Sequence, residues 1–129
     1  GKGILMNEGS DVTIVATGHL VWESLVAAAE LEKEGISCEV INIHTIKPLD
    51  EEIILNSVKK TGKIVTAEEH NILGGLGESV ARVLAQKLPT KQAFVAVNDK
   101  FGESGTPSDL MKKYGIDSTA VIEKVKSLL

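Results

Sequence analysis

The sequence predicts an α/β fold in which a mostly parallel sheet carries helices on both faces. Three observations predict it. Short β-branched runs alternate with helical apolar stripes four times along the 129 residues. Aromatic residues make up 3% of the chain against 43% hydrophobic, so the core must be aliphatic, as in parallel sheets buried on both sides. Gly35, Gly62 and Gly115 each stand just beyond a helical stretch, where a left-handed residue ends a helix. With no repeat, linker or low-complexity stretch, residues 1–129 read as one domain.

Ile4 to Met6 is a candidate extra strand at a sheet edge. Val12 to Ala16 is a buried strand closed by Thr17-Gly18. His19 to Glu34 is a helix whose Val21, Leu25 and Ala28 fall on one stripe, flanked by Trp22 and Ala29 on one side and Leu31 on the other. Ser37 to Ile43 is the next strand, ended by Lys47-Pro48 because proline restricts its predecessor and offers no ladder donor. Asp50 is placed to cap a helix running to about Lys60, with Gly62 just past its end. Lys63 to Ala67 is a strand, followed by a glycine-rich turn and a helix to about Leu88 with Leu76, Val80 and Val83 aligned. Ala93 to Val97 is another strand. Asp99 to Thr106 reads as a polar loop, and Thr106-Pro107-Ser108-Asp109 as the start of a short helix stopped at Gly115. Ser118 is the expected cap of a last helix with Val121, Val125 and Leu128 as its buried face.

Composition excludes several classes of function. Fourteen basic and eighteen acidic residues give a net charge of -4, against the basic stripe that a general nucleic-acid binder needs. No apolar run approaches the ~20 residues of a membrane helix, and no signal peptide is visible. The single cysteine, Cys38, excludes an internal disulfide and suits a reducing cytosol, so a cytoplasmic location is expected. It sits in a strand pattern with no neighbouring charge to activate it, which makes it a small buried residue rather than a nucleophile. The opening Gly1-Lys2-Gly3, without an initiator Met, reads as a piece of a longer chain or as the remnant of a trimmed tag.

The richest segment for chemistry is Glu68-Glu69-His70-Asn71-Ile72-Leu73-Gly74-Gly75-Leu76-Gly77-Glu78-Ser79. It follows a strand and opens a helix, the position where open α/β sheets hold ligands. Gly75-Leu76-Gly77 starts a dinucleotide fingerprint, but Val80 replaces its third glycine, and the Gly-Lys-Ser/Thr ending of a phosphate loop is absent. The glycines then serve a tight turn and close helix approach, with Gly74 to Ser79 as an anion-holding helix start in the alternative reading. Glu68, Glu69 and His70 do not converge on a metal, since consecutive strand residues point to opposite faces. His19, at a helix start, and His44, in a loop after a strand, are weaker candidates. Gly102-Glu103-Ser104 matches only half of a nucleophile elbow, because Thr106 stands where the last glycine belongs. Phe101 is the only aromatic residue of that loop.

Four segments together resemble one family. Asn7 to Gly18 (NEGSDVTIVATG) resembles the opening of the transketolase C-terminal domain. Ile43 to Asp50 (IHTIKPLD) resembles its strand-to-helix junction, and Glu68-Glu69-His70 followed by Gly74-Gly75-Leu76-Gly77-Glu78 is similar to its acid-acid-His and GGLGE element. Asp99 to Gly105 (DKFGESG) resembles its terminal loop. The four lie in family order over nearly the whole chain. Deoxyxylulose-phosphate synthase and the beta subunits of two-oxoacid dehydrogenases share this domain, but the FGESG loop followed by Asp109-Leu110 and Lys113 to Ile116 looks more like transketolase.

The resemblance implies a three-layer α/β/α sandwich with a five-stranded, mostly parallel mixed sheet, its first strand antiparallel and formed by Ile4 to Met6. It implies a complete enzyme that moves a two-carbon ketol unit between sugar phosphates in the pentose phosphate pathway, with thiamine diphosphate as electron sink and a divalent cation such as Mg on the diphosphate. The family's Gly-Asp-Gly cation motif is absent, so no catalytic, cofactor-binding or metal-binding residue is carried over. The expected role is support: dimer packing and bracing of the pyrimidine-binding domain. The expected partners are the remaining transketolase domains or a separate N-terminal subunit, with neither nucleic acid nor membrane. His44, Glu69, His70, Gly74, Gly75 and Gly77 are the candidate interface or anion contacts.

Overall fold

The computed structural model describes residues 2–71, 75–97 and 117–129. Five strands, β1 (Ile4–Asn7), β2 (Val12–Ala16), β3 (Cys38–Asn42), β4 (Lys63–Asn71) and β5 (Lys91–Val97), form one sheet in the order β1-β3-β2-β4-β5. β1 runs antiparallel to β3, and every other pair is parallel. Among the described residues four helices cover the sheet: α1 (Leu20–Lys33), α2 (Glu51–Thr61), α3 (Leu76–Lys87) and α4 (Ser118–Ser127). The mixed sheet and its antiparallel first strand are as the family resemblance implied.

The period of two in each strand sorts its side chains between two cores. Val12, Ile14 and Ala16 of β2, Cys38 and Val40 of β3, and Val65 and Ala67 of β4 pack with α1 and α4. Val15, Ile41 and Ile64, from the same strands, pack on the opposite face with Ile54 and Val58 of α2 and with Leu76, Val80 and Leu84 of α3. β2 is therefore buried along its whole length. At about 25 cal/mol per Å² of apolar surface removed from water, these two cores are the main stabilising term.

α2 matches its sequence signals. The Asp50 side chain accepts a hydrogen bond from the Ile53 amide, and Gly62 ends the helix at φ 74°. Elsewhere the structure corrects the sequence reading. The buried stripe of α1 is Leu20, Val21, Ser24, Ala27, Ala28 and Leu31, while Trp22 is 65% exposed, Ala29 is exposed and Leu25 is only partly buried. α1 packs against both the sheet and α4, and its inward face sets the small Ser24, Ala27 and Ala28 between Leu20 and Leu31. In α3 Leu84, not Val83, continues the buried row from Leu76 and Val80. Asp117 caps α4 by accepting from the Ala120 amide at 3.1 Å, and Ser118 is the first helical residue; the expected buried face of Val121, Val125 and Leu128 is present. β4 and β5 are longer than predicted, β4 running on to Asn71 and β5 starting at Lys91. The expected loop from Asp99 and the short helix from Thr106 lie outside the described residues.

A polar network fastens the start of the sheet to α2. Thr13 Oγ1 lies 2.6 Å from Ser57 Oγ and 2.7 Å from Thr61 Oγ1, all three residues being buried. Glu39, 4% exposed, accepts from Lys60 Nζ, from Ser57 and from the Gly9 amide at 3.1 Å. Gly9 passes so close to β3 that an added Cβ would lie 2.2 Å from the Cys38 carbonyl carbon. Burial pushes the Glu39 carboxyl up, but the hydrogen bonds from Lys60, Ser57 and Gly9 and the charge of Lys60 outweigh it and hold the group below its ordinary value. The neighbouring Cys38 thiol is pushed up to about 11, by burial first and by the Asp11 charge second, so it stays a protonated core residue at neutral pH.

A carboxylate with a depressed folded pKa contributes stability that is complete above its unfolded value and lost as pH falls through the folded one. The Glu39 contribution is therefore full above the ordinary value of 4.5 and disappears in more acidic solution. Denaturant titrations should show Glu39→Gln markedly destabilising at pH 7 and approaching wild-type stability in acid; an equal loss at both would contradict this assignment.

Candidate functional site at the ends of the parallel strands

The parallel strands end towards one side of the sheet, β2 and β3 level at Ala16 and Asn42 and β4 and β5 running on to Asn71 and Val97. β2 is followed by α1 on one face of the sheet, and its neighbour β4 by α3 on the other. The chain thus leaves β2 and β4 in opposite directions, and the crevice between their ends is the switch point where open α/β sheets place ligands.

Two consecutive glutamates of β4 close this crevice. Val65 and Ala67 face α1, so Glu69, two residues on, points to the same side. Its Oε1 accepts a hydrogen bond from the His19 amide at 2.9 Å, at the start of α1, where no side chain of the helix's own provides a cap. Ile64 and Thr66 face α3, and Glu68 follows them. Glu68 is 1% exposed, and its two oxygens accept from the Leu76 amide at 2.8 Å and the Gly77 amide at 2.7 Å. The first free amides of both helices, and the positive ends of both macrodipoles, thus meet a carboxylate from one strand.

Gly77 makes the second contact possible. A Cβ there would sit 2.5 Å from the Phe94 ring and 2.9 Å from Thr66 Oγ1, so only glycine lets α3 come this close to β4 and β5. Gln92 of β5 locks the arrangement by donating from Nε2 to Thr66 Oγ1 at 3.1 Å and to the Gly77 carbonyl at 3.0 Å.

Of the candidate contacts named from the sequence, Glu69, Gly75 and Gly77 gather at this strand end. Gly75 is the extended residue preceding α3. His70 continues β4, and His44 is exposed beyond the end of β3. Gly74 lies outside the described residues. Sequence reasoning missed the buried capping role of Glu68 and the lock formed by Gln92. The alternation of β4, continued two residues past Thr66, was the signal for Glu68; nothing local marked Gln92. Among the described residues no three His, Cys, Asp or Glu side chains come together to hold a metal ion.

The family model for "Transketolase, C-terminal domain" matches residues 1–121. The chain belongs to this family. It is 47% identical over 122 residues to a 6-deoxy-6-sulfo-D-fructose transketolase subunit, SqwH, of Clostridium sp. (strain MSTE9), covering 95% of this chain and 38% of that protein. It is 37% identical over 129 residues to the 1-deoxy-D-xylulose-5-phosphate synthase of Heliobacterium modesticaldum (strain ATCC 51547 / Ice1), covering 99% of this chain and 20% of that one. A solved structure described as "Split gene transketolase, inactive beta4 tetramer" superposes with a TM-score of 0.95 at 45% identity, over 99% of this chain and 42% of that chain. The chain therefore spans well under half the length of these relatives. What the transketolase C-terminal domain offers here is a sheet whose switch-point amides are already bonded to its own glutamates.

Glu68→Ala should cost about 1–3 kcal/mol in denaturant unfolding, because it strands two buried amides. Glu69→Ala, at a more exposed helix start, should cost about 1 kcal/mol, the usual worth of a cap. Equal losses would contradict the difference in burial. Gly77→Val should lower stability by more than about 1 kcal/mol, since the Phe94 ring and Thr66 must both move; an unchanged melting transition would rule out the close packing of α3.

Proposed function

We propose that the chain is the C-terminal domain of a transketolase whose complete form transfers a two-carbon ketol unit between sugar phosphates. In that enzyme the domain braces and assembles the parts that hold thiamine diphosphate and its divalent cation. The observation that carries the reading is the closure of the switch point. A phosphate-binding helix start needs free amides, and those of Leu76, Gly77 and His19 are bonded to Glu68 and Glu69. A second anionic group there would displace a buried carboxylate or lie beside it with these three amides already taken. The described residues thus do not fit a diphosphate–cation pair, and no step of the transfer reaction is assigned to them. This also weighs against the alternative of a small anion-binding module. Relatives described as a transketolase subunit and as a split-gene transketolase support a partner that carries the rest of the machinery, either as further domains or as a separate N-terminal subunit in a dimeric enzyme.

The similarity to deoxyxylulose-phosphate synthase keeps a second thiamine enzyme in view. A reconstituted enzyme that forms deoxyxylulose phosphate, rather than moving ketol units between sugar phosphates, decides for it.

Calorimetric titration of the 129-residue chain with thiamine diphosphate and magnesium should give no heat of binding, and addition of a complementary N-terminal subunit should produce both binding and ketol transfer. Micromolar binding by the chain alone, or turnover without a partner, would overturn the proposal.

A further inference from the structure

Residues 2–10 run as a strap along one side of the sheet. They comprise β1 and the start of the turn that carries the chain past the beginning of β3 into β2. None of them is buried, and none belongs to either aliphatic core. Without the strap both cores would keep every member, including Cys38, Val40 and Ile41 of β3.

What ties the strap down is polar. Its ladder with β3 shifts register between Leu5 and Asn7. Around that ladder the Gly3 amide donates to Asp50 Oδ2 at 2.8 Å, and the Asn7 side-chain amide to the Cys38 carbonyl at 2.9 Å. The Gly9 amide donates to Glu39 Oε1 at 3.1 Å and the Ser10 amide to Ser37 Oγ at 3.1 Å. A hydrogen bond offsets, net, about the cost of ordering one backbone residue and no more. Latches without core burial therefore hold a segment weakly, and units of this kind open below the free energy of global unfolding. The chain is firm again at Asp11, whose amide donates to the Ser37 carbonyl at 2.8 Å and whose carboxylate accepts from the Ser37 amide at 2.7 Å. Val12, the next residue, is fully buried.

The strap covers the single cysteine. Cys38 is 2% exposed. Asn7 and Glu8 line a cleft of about 80 Å³ beside it, together with Ala28 and Glu32 of α1 and Ser37. That is room for roughly two waters and not for a bulky thiol reagent. Gly9 seats the turn against the backbone of the same residue: an added Cβ would lie 2.2 Å from the Cys38 carbonyl carbon and 2.4 Å from the Glu39 nitrogen.

We propose that residues 2–10 open as one unit, a strap that lifts from β3 about a hinge at Asp11 while both cores stay folded, and that this opening rather than global unfolding uncovers the Cys38 thiol. When lifted, the strap bares the backbone edge of β3. The inference rests on the burial and hydrogen bonding of the strap and does not depend on the thiamine-enzyme reading.

Thiol labelling of the native 129-residue chain with an excess of an aromatic disulfide reagent tests it. The Cys38 thiolate attacks the reagent's S–S bond, keeps one half as a mixed disulfide and releases the other as an aromatic thiolate, which is followed by absorbance. At low denaturant concentrations the labelling rate should change little, because a local opening exposes little surface. Asn7→Ala, which removes one latch, should raise the rate about fivefold. Val80→Ala, in the core on the other face of the sheet, should lower the unfolding midpoint and leave the labelling rate in water unchanged. Gly9→Ala, which cannot seat, should label far faster than wild type while circular dichroism and a cooperative unfolding transition show an intact body. Four results would each overturn the proposal. They are a rate that climbs with denaturant as steeply as global unfolding, a Val80→Ala rate raised in step with its lost stability, an Asn7→Ala rate equal to wild type, and a Gly9→Ala chain that no longer folds.

Discussion

Two adjacent carboxylates on one strand close the starts of two helices that lie on opposite faces of the sheet. Glu68 holds the Leu76 and Gly77 amides, and Glu69 holds the His19 amide. The arrangement works because a strand sends neighbouring side chains to opposite sides, and because at a switch point the next helix on each side begins beside the same strand. A helix N-terminus offers unpaired donors and a positive field. Glutamate is long enough to meet both needs from the strand, which leaves the second residue of α3 free to be glycine. The glycine then admits the close contact of α3 with Phe94 and Thr66. Cap, glycine and packing form one device, and the position of α3 depends on all three.

The opposite end of the sheet is organised by a third carboxylate with a different task. Glu39 ties the turn at Gly9 to the last turn of α2 through Lys60 and Ser57. Buried charge is tolerated there because the carboxylate is hydrogen-bonded and a cation lies alongside. Between these polar ends the two aliphatic cores are separated only by the strands themselves. Such a body is stiff, and its described donors at the usual ligand crevice are consumed internally. Membership of the transketolase C-terminal domain family and coverage of less than half of its relatives fit a domain that acts by holding others in place. Among the described residues its exposed large apolar side chains include Trp22 and those of the edge strand β1.

Much of this was legible from local pattern. The alternation of β-branched runs with helical stripes determined the α/β class, and the shortage of aromatics determined an aliphatic, two-sided sheet. Asp50 and Gly62 determined both ends of α2, because an N-cap and a left-handed C-cap act within a few residues of themselves. The family motifs determined the mixed sheet. Tertiary structure decided what depends on residues distant in sequence. Glu68 and Glu69 follow the run KIVTA and look like the start of a loop; the pairing of β4 with β5, resumed at Asn71 opposite Val97, carries the strand through them, and α3 and α1 bring the amides that their carboxylates accept from. The inward row of α1 was decided by α4, joining from the far end of the chain, so Trp22 turned outward and Ser24 inward. The need for glycine at position 77 was decided by Phe94 and Thr66 on two neighbouring strands. A sequence carries the period of each element and its caps, whereas the side a helix buries, and the donors a carboxylate finds, exist only once the sheet has brought distant segments together.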